Sequence, residues 1–207
     1  MIKSILFDMG GVIFNQNTEE AFRRFQAIGV DTDHYMGHFG QKDFFLDLET
    51  GAIDTEEFCQ KLSATIGRPV SREEAQHCWL GFFDGVPAER LRCLEELRKD
   101  YHIGLLSNTN PFVMAHTRSP QFSEEGRPIT DFFDQLFCSY EMQCCKPGEE
   151  IFRKALAESG MKAEECLFVD DSRANTDAAE KLGFQVLCTK SNTDWIDELK
   201  TYLKQHA

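Results

Sequence analysis

The sequence predicts an α/β fold, a doubly wound parallel sheet (Rossmann-like core) with an inserted helical cap subdomain. Three observations predict it. Ile5, Leu6 and Phe7 form an apolar run that stops at Asp8 and is followed by Gly10 and Gly11. A continuous apolar run bounded by glycine is the pattern of a strand buried on both faces, the habit of parallel sheets. Residues 16–86 then show apolar positions at helical spacing and no strand pattern. From residue 87 onward helical and strand patterns alternate with short links, which implies parallel strands covered on both faces. The expected division is a core of residues 1–15 and 87–207 and a helical cap of residues 16–86.

Each element follows from its pattern. In residues 17–28, a polar cap and two acids precede Ala21, Phe25 and Ile28, with Phe22 beside them. Gly29 ends that helix. Residues 41–50 place Phe44, Phe45 and Leu48 at helical spacing, closed by Gly51. Asp54 and Thr55 open a third helix through Phe58, Leu62 and Ile66, broken at Gly67, Arg68 and Pro69. Ser71 caps a fourth, through Ala75 and Trp79 towards Phe83. A helix over 87–99 with Leu91, Leu94 and Leu97 leads into a strand at 102–107 that ends in a hydroxyl, Ser107. Residues 118–130 are rich in proline, serine, glycine and charge and read as a loop. A short strand at 136–139 precedes a helix at 147–159. The strand at 166–169 runs into Asp170 and Asp171, and a helix at 174–182 closes at Gly183. A fifth strand, 184–188, and a terminal helix, 194–204, complete the pattern.

Composition narrows the function. The formal net charge is −13 over 207 residues, which argues against nucleic-acid partners, because those require clustered lysine and arginine against the phosphates. No apolar run approaches the roughly 18 residues of a membrane span. Eight cysteines are scattered, without the C-x-x-C spacing of a zinc or redox centre. The chain opens directly into strand pattern, with no signal-peptide pattern. Free thiols in a reducing cytoplasm are the expectation.

Open α/β sheets place ligands at the C-terminal ends of their strands. Asp8, Ser107, Asp170 and Asp171 all fall at such ends, and Lys146 precedes a helix. Alone, Asp8 is a nucleophile, a metal ligand, or an acid capping a turn. Together these residues suit attack by a carboxylate on a phosphoryl group. Such attack needs oxygen ligands for Mg²⁺, donors for the phosphoryl oxygens and a cation beside the nucleophile. Asp8, Asp171 and a backbone carbonyl near Gly10 would form the metal site, and Asn108 would add a hydrogen bond.

Four motifs in this order resemble the haloacid dehalogenase (HAD) superfamily. They are Phe-Asp-Met-Gly-Gly-Val at 7–12, Leu-Leu-Ser-Asn at 105–108, Cys-Lys-Pro-Gly-Glu-Glu-Ile-Phe at 145–152 and Phe-Val-Asp-Asp-Ser-Arg-Ala-Asn at 168–175. The helical block after the first strand resembles the cap of subclass I members, including Gly51, Ile53 and Phe58. The resemblance covers nearly the whole chain and is nearest to sugar phosphatases of the glucose-1-phosphatase-like branch. It implies that Asp8 is the nucleophile and a Mg²⁺ ligand, and that Gly10 ligates the metal through its carbonyl. Ser107 and Asn108 would bind the phosphoryl group, and Lys146 would steady the nucleophile. Asp171 would bind Mg²⁺ directly, with Asp170 holding the metal or its waters. Asn175 and Asp177 are expected to be helix N-terminal residues.

One position departs from the family pattern. Family phosphatases carry a second aspartate two residues after the nucleophile, as acid and base, and here that residue is Gly10. General acid–base help is worth about 10² to 10⁴ in rate. A halide leaving group needs no acid, so a 2-haloacid dehalogenase is an alternative, although the retained Asp170 and Asp171 favour a phosphatase. A non-catalytic HAD-like binding protein is a third reading. The expected partner is a small phosphorylated molecule, and the expected assembly a monomer or weak homodimer. Specificity is expected in the cap, near His38, Phe39, Lys42, Phe44 and Phe45, with the two phenylalanines at 44 and 45 read first as the cap's own core. Arg118 and Arg127 of the 118–130 loop are either contacts for an anionic substrate or solvated side chains.

Overall fold

The computed structural model describes residues 1–37 and 40–206, so His38 and Phe39 lie outside the described residues. The chain begins with β1 (Ser4–Phe7), every residue of which is buried. It continues through α1 (Thr18–Ala27), α2 (Thr32–Tyr35), β2 (Met36–Gly37), β3 (Gly40–Gln41), α3 (Asp43–Glu49), α4 (Thr55–Ile66), α5 (Arg72–Trp79) and α6 (Ala88–Leu97). Then come β4 (His102–Ser107), α7 (Pro111–Thr117), β5 (Gln135–Cys138), α8 (Ser139–Met142) and α9 (Glu149–Ser159). The chain closes with β6 (Cys166–Asp170), α10 (Arg173–Lys181), β7 (Gln185–Cys188) and α11 (Ile196–Gln205).

Five strands form one parallel sheet in the order β5-β4-β1-β6-β7. The chain builds outward from β1 on one side through β4 and β5, then returns to the other side through β6 and β7. That reversal at β1 is a topological switch point, where such sheets open a crevice for ligands. Register decides which residues meet there. Phe7 lies opposite Leu105 on one side and Val169 on the other, and the Asp8 N–H donates to the Val169 carbonyl at 2.9 Å. The ends of β1, β4 and β6 are therefore level, and their terminal polar residues share one edge.

Strand side chains alternate between the two faces, as the pleat requires. Ile5, Phe7, Leu105, Leu167 and Val169 join one apolar cluster, and Leu6, Leu106 and Phe168 join another. The first cluster also takes in Phe25, Phe45, Phe58 and Trp79 from α1, α3, α4 and α5. Phe58 on α4 meets Phe112 on α7 edge-on, with ring centroids 5.8 Å apart. The helical block thus packs onto the sheet's own covering helix through buried aromatic area. Phe44 and Phe45 are buried in this aromatic cluster, which fits the core reading. Lys42 is exposed.

Two sequence expectations need correction. Residues 16–86 are not purely helical, because β2 and β3 pair antiparallel, Met36 with Gln41 and Gly37 with Gly40. Each strand is two residues long, too short for any period-2 pattern. Arg118 and Arg127 are not freely solvated, and neither lines the cavity over Asp8. Arg118 pairs with both oxygens of Glu141, while Arg127 pairs with Glu95 and Asp131 and lies over the Phe132 ring. They pin the 118–130 segment, which holds two single 3₁₀ turns. All eight cysteines are free, and no helix among the described residues is long and apolar enough to cross a membrane.

Candidate active site

Asp8 leaves the end of β1 and turns back over the sheet edge. The turn needs glycine at position 11, where φ is +77° and a Cβ would collide with Asp171 Oδ2 and Ser191 Oγ. Close approach of the backbone at Gly11 is what lets Asp171 stand beside Asp8. Asp8, Asp170 and Asp171 each bring a carboxylate oxygen within 4.8 Å of the others.

Lys146 counters these acids. Its ammonium is 2.7 Å from Asp8 Oδ1 and 2.7 Å from Asp170 Oδ2, with a side chain 1% exposed. Burial works against the Lys146 charge, yet the Asp170 and Asp8 carboxylates outweigh it and hold its pKa above the ordinary lysine value. Burial is also the largest influence on Asp8 and, with the neighbouring acids, pushes it up to about 7 against the pull of Lys146. Burial, then the charge of Asp170, raises Asp171 as well. One lysine does not balance three crowded carboxylates. An all-oxygen donor set with surplus negative charge suits a hard divalent cation, so the residues present fit Mg²⁺.

Asp170 is held on both oxygens. Oδ1 accepts from the Ser172 N–H at 2.7 Å, and the Asn175 amide donates to both oxygens at 3.1 Å. Asn175 was read from sequence as a helix N-terminal residue, and it does sit in the first turn of α10. Its side chain, however, orients Asp170 instead of capping the helix, so it belongs to the site. Asp177 lies further along α10 in a loose surface pair with Arg173.

Ser107 ends β4, buried, and lines the same cavity as Asp8. Asn108 follows it and lines the cavity too. Its Nδ2 donates to the Lys146 carbonyl and its Oδ1 accepts from the Lys146 N–H, each at 2.8 Å, which fixes the lysine loop against β4 and leaves the second amide N–H free of that bridge. That bridge spans 38 residues of sequence, beyond the reach of any local pattern.

A cavity of about 130 Å³ opens over Asp8, lined also by Gly10, Gln16, Glu49 and Trp79. The space beside Gly10 is already occupied. A Cβ there would lie 2.8 Å from Gln16 Oε1. Gln16 is held by Asn192, which accepts from its N–H at 2.7 Å and donates to its carbonyl at 2.9 Å. Glu49, at the end of α3, carries its carboxyl into the cavity wall, and burial alone pushes it up to about 8. Gly51 fixes that end of α3 against the sheet domain, since a Cβ there would collide with the Tyr140 carbonyl oxygen. Sequence reading gives Glu49 only as the first residue of the Glu-x-Gly-x-Ile-type stretch of the cap, with no role, and does not single out Gln16, which lies in no motif for acid–base or phosphoryl chemistry.

The comparisons agree with this geometry. A family model described as haloacid dehalogenase-like hydrolase matches residues 2–183. The D-ribitol-5-phosphate phosphatase of Bacteroides thetaiotaomicron is 40% identical over 204 residues, covering 98% of this chain and 99% of that protein. A HAD-like family hydrolase of Porphyromonas gingivalis superposes with a TM-score of 0.93 at 42% identity, over 99% of this chain and 98% of that one. A HAD family enzyme of B. thetaiotaomicron, solved with magnesium and inorganic phosphate, gives a TM-score of 0.89 at 30% identity, over 96% and 99% of the two chains. Four motifs converging on one sheet edge, a family match across most of the sequence and near-complete structural overlap lead to one conclusion: the chain belongs to the haloacid dehalogenase-like hydrolases.

Proposed function

We propose that the protein is a Mg²⁺-dependent phosphatase that hydrolyses a small phosphomonoester, a sugar or polyol phosphate, through an aspartyl-phosphate on Asp8. The observation that carries this reading is the clustering of Asp8, Asp170 and Asp171 within 4.8 Å around the buried Lys146 ammonium. The relatives support it, since one is a D-ribitol-5-phosphate phosphatase and another binds magnesium with inorganic phosphate.

The roles follow from position. Asp8 attacks phosphorus with the oxygen that Lys146 does not hold. Lys146 opposes the protonation that burial favours on that carboxylate, and the Ser107 hydroxyl donates to a phosphoryl oxygen. Asp8, Asp171 and the Gly10 carbonyl would hold Mg²⁺, with Asp170 supporting it and fixing Lys146. When bound, the ion draws charge from the phosphoryl oxygens and offsets the three acids. Gly10 offers no proton to the leaving group, so that proton comes from solvent or another cavity group. Residues 16–86 form the cap that closes the cavity, on a core of residues 1–15 and 87–207. The free thiols and the net charge of −13 support a cytoplasmic location and a small-molecule substrate, with the protein acting as a monomer or weak homodimer.

Phosphate release from a panel of sugar, polyol and nucleotide phosphates, with Mg²⁺ and with EDTA, tests the reading. Mg²⁺-dependent release is expected. Halide release from 2-haloacids without phosphate release would replace it with the dehalogenase reading, and inactivity on both panels would favour a binding role.

A further inference from the structure

The cavity above Asp8 is lined by several side chains that carry an unpaired polar atom. Six buried side-chain nitrogen or oxygen atoms lack a hydrogen-bond partner among the described residues, and three of them, Gln41 Oε1, Trp79 Nε1 and Thr109 Oγ1, belong to residues lining this one cavity. They arrive from β3, from the end of α5 and from the turn after β4. An unpaired buried polar atom costs free energy, and native proteins keep very few. Three on residues that line one cavity mark side chains whose polar ends lack a partner among the described residues. Glu49 joins them, because neither a hydrogen bond nor a charge offsets the burial of its carboxyl.

The set specifies the ligand's chemistry. Trp79 Nε1 only donates, Gln41 Oε1 only accepts, and the Thr109 hydroxyl does both. Lys146 is the one cation lining the cavity among the described residues, and its ammonium is already committed to Asp8 and Asp170. Nothing there balances a second anionic group on the ligand. A neutral group that donates and accepts at once, repeated along a short chain, answers the whole set, and that group is the hydroxyl. Phe14, Phe82 and Val113 line the same space and suit the carbon side of such a chain.

We propose that Gln41, Glu49, Trp79 and Thr109 form a hydroxyl-recognition subsite that takes the polyhydroxylated carbon chain of the leaving alcohol. This inference rests on the phosphatase reading and names its substrate class.

The test compares kcat/KM for a pentitol phosphate and for pentyl phosphate, esters of the same chain length with and without hydroxyls. The wild-type protein with Mg²⁺ should prefer the pentitol ester by on the order of 10²-fold or more, since sites built to pair hydroxyls reject analogues lacking them. Thr109→Val deletes one polar atom with little change of shape, and Trp79→Phe deletes the indole N–H together with one ring, so its fold is checked by thermal melting. Each should shrink that preference by about tenfold, the scale of one hydrogen bond. Equal kcat/KM for the two esters in the wild type, or an unchanged preference in both variants, would overturn the subsite while leaving the phosphatase standing. If neither ester releases phosphate with Mg²⁺, the phosphatase reading fails and the subsite fails with it.

Discussion

Lys146 Nζ lies 2.7 Å from Asp8 Oδ1, an ion pair that joins residues 138 positions apart and is almost sealed from water. Nearly all of the site's electrostatics depends on it. Without the ammonium, burial and the neighbouring acids would act on Asp8 unopposed, and the nucleophile would take up a proton. Lys146→Met should therefore lower kcat by about 10²-fold or more at saturating Mg²⁺, the scale of losing one charge-stabilising donor. Steady-state kinetics at neutral pH checks this. Lys146→Arg should not restore the rate, because a planar fork does not replace a compact ammonium between two carboxylates.

Substitutions at Asp171 and Asn175 should both weaken metal binding, one directly and one through Asp170. Asp171 offers its carboxylate beside Asp8, so Asp171→Asn should raise the Mg²⁺ concentration for half-maximal activity more than tenfold. Asn175 only holds Asp170, and loss of such a supporting contact typically costs about 10- to 100-fold in metal affinity or activity. Metal titrations of both variants, read by activity and by calorimetry, check the pair.

The adjacent glycines should respond differently. Gly11 has φ +77° and no room for a Cβ against Asp171 and Ser191, so Gly11→Ala should destabilise the fold and abolish metal-dependent activity. At Gly10 the obstacle is only the Gln16 amide, the end of a flexible side chain. Gly10→Asp should displace it and supply the acid this chain lacks. Release of a poor alkoxide leaving group should then speed up by about 10²-fold. Release of p-nitrophenolate, which needs no proton, should change little. A parallel gain on both esters would contradict this.

Glu49 predicts a pH signature in stability. Burial raises its pKa from 4.5 to about 8 in the folded protein, so the folded state holds a proton that the unfolded chain has released. Its contribution is present below pH 4.5 and is lost as pH rises towards 8. Glu49→Gln, neutral at every pH, should gain on the wild type in Tm across that window. Thermal melts in EDTA between pH 5 and 8 measure it, and a constant difference in Tm would contradict the assignment.

The sheet was legible because each of its strands reads as an apolar run, and β4 falls on the predicted residues 102–107. The site acids were legible because they end those strands. What escaped the sequence was short or distant. The helix at 111–117 shows no apolar period of its own in so short a stretch, although Asn110 caps α7 and Pro111 sits in its first turn, a known start signal. The Asn108 bridge to Lys146, the hold of Asn192 on Gln16 and the meeting of Gln41, Trp79 and Thr109 all join residues far apart in the chain. No periodicity records such contacts, because folding alone brings them together.

The most direct measurement is phosphate release by the wild type and by Asp8→Asn from a pentitol or sugar phosphate, each with Mg²⁺ and with EDTA. An amide at residue 8 keeps the shape but removes the charge and one oxygen of the proposed nucleophile. The expected result is turnover in the wild type only with Mg²⁺, and a loss of about 10³-fold or more in Asp8→Asn. Metal-independent release, or an Asp8→Asn variant that keeps wild-type turnover, would contradict a reaction through Asp8.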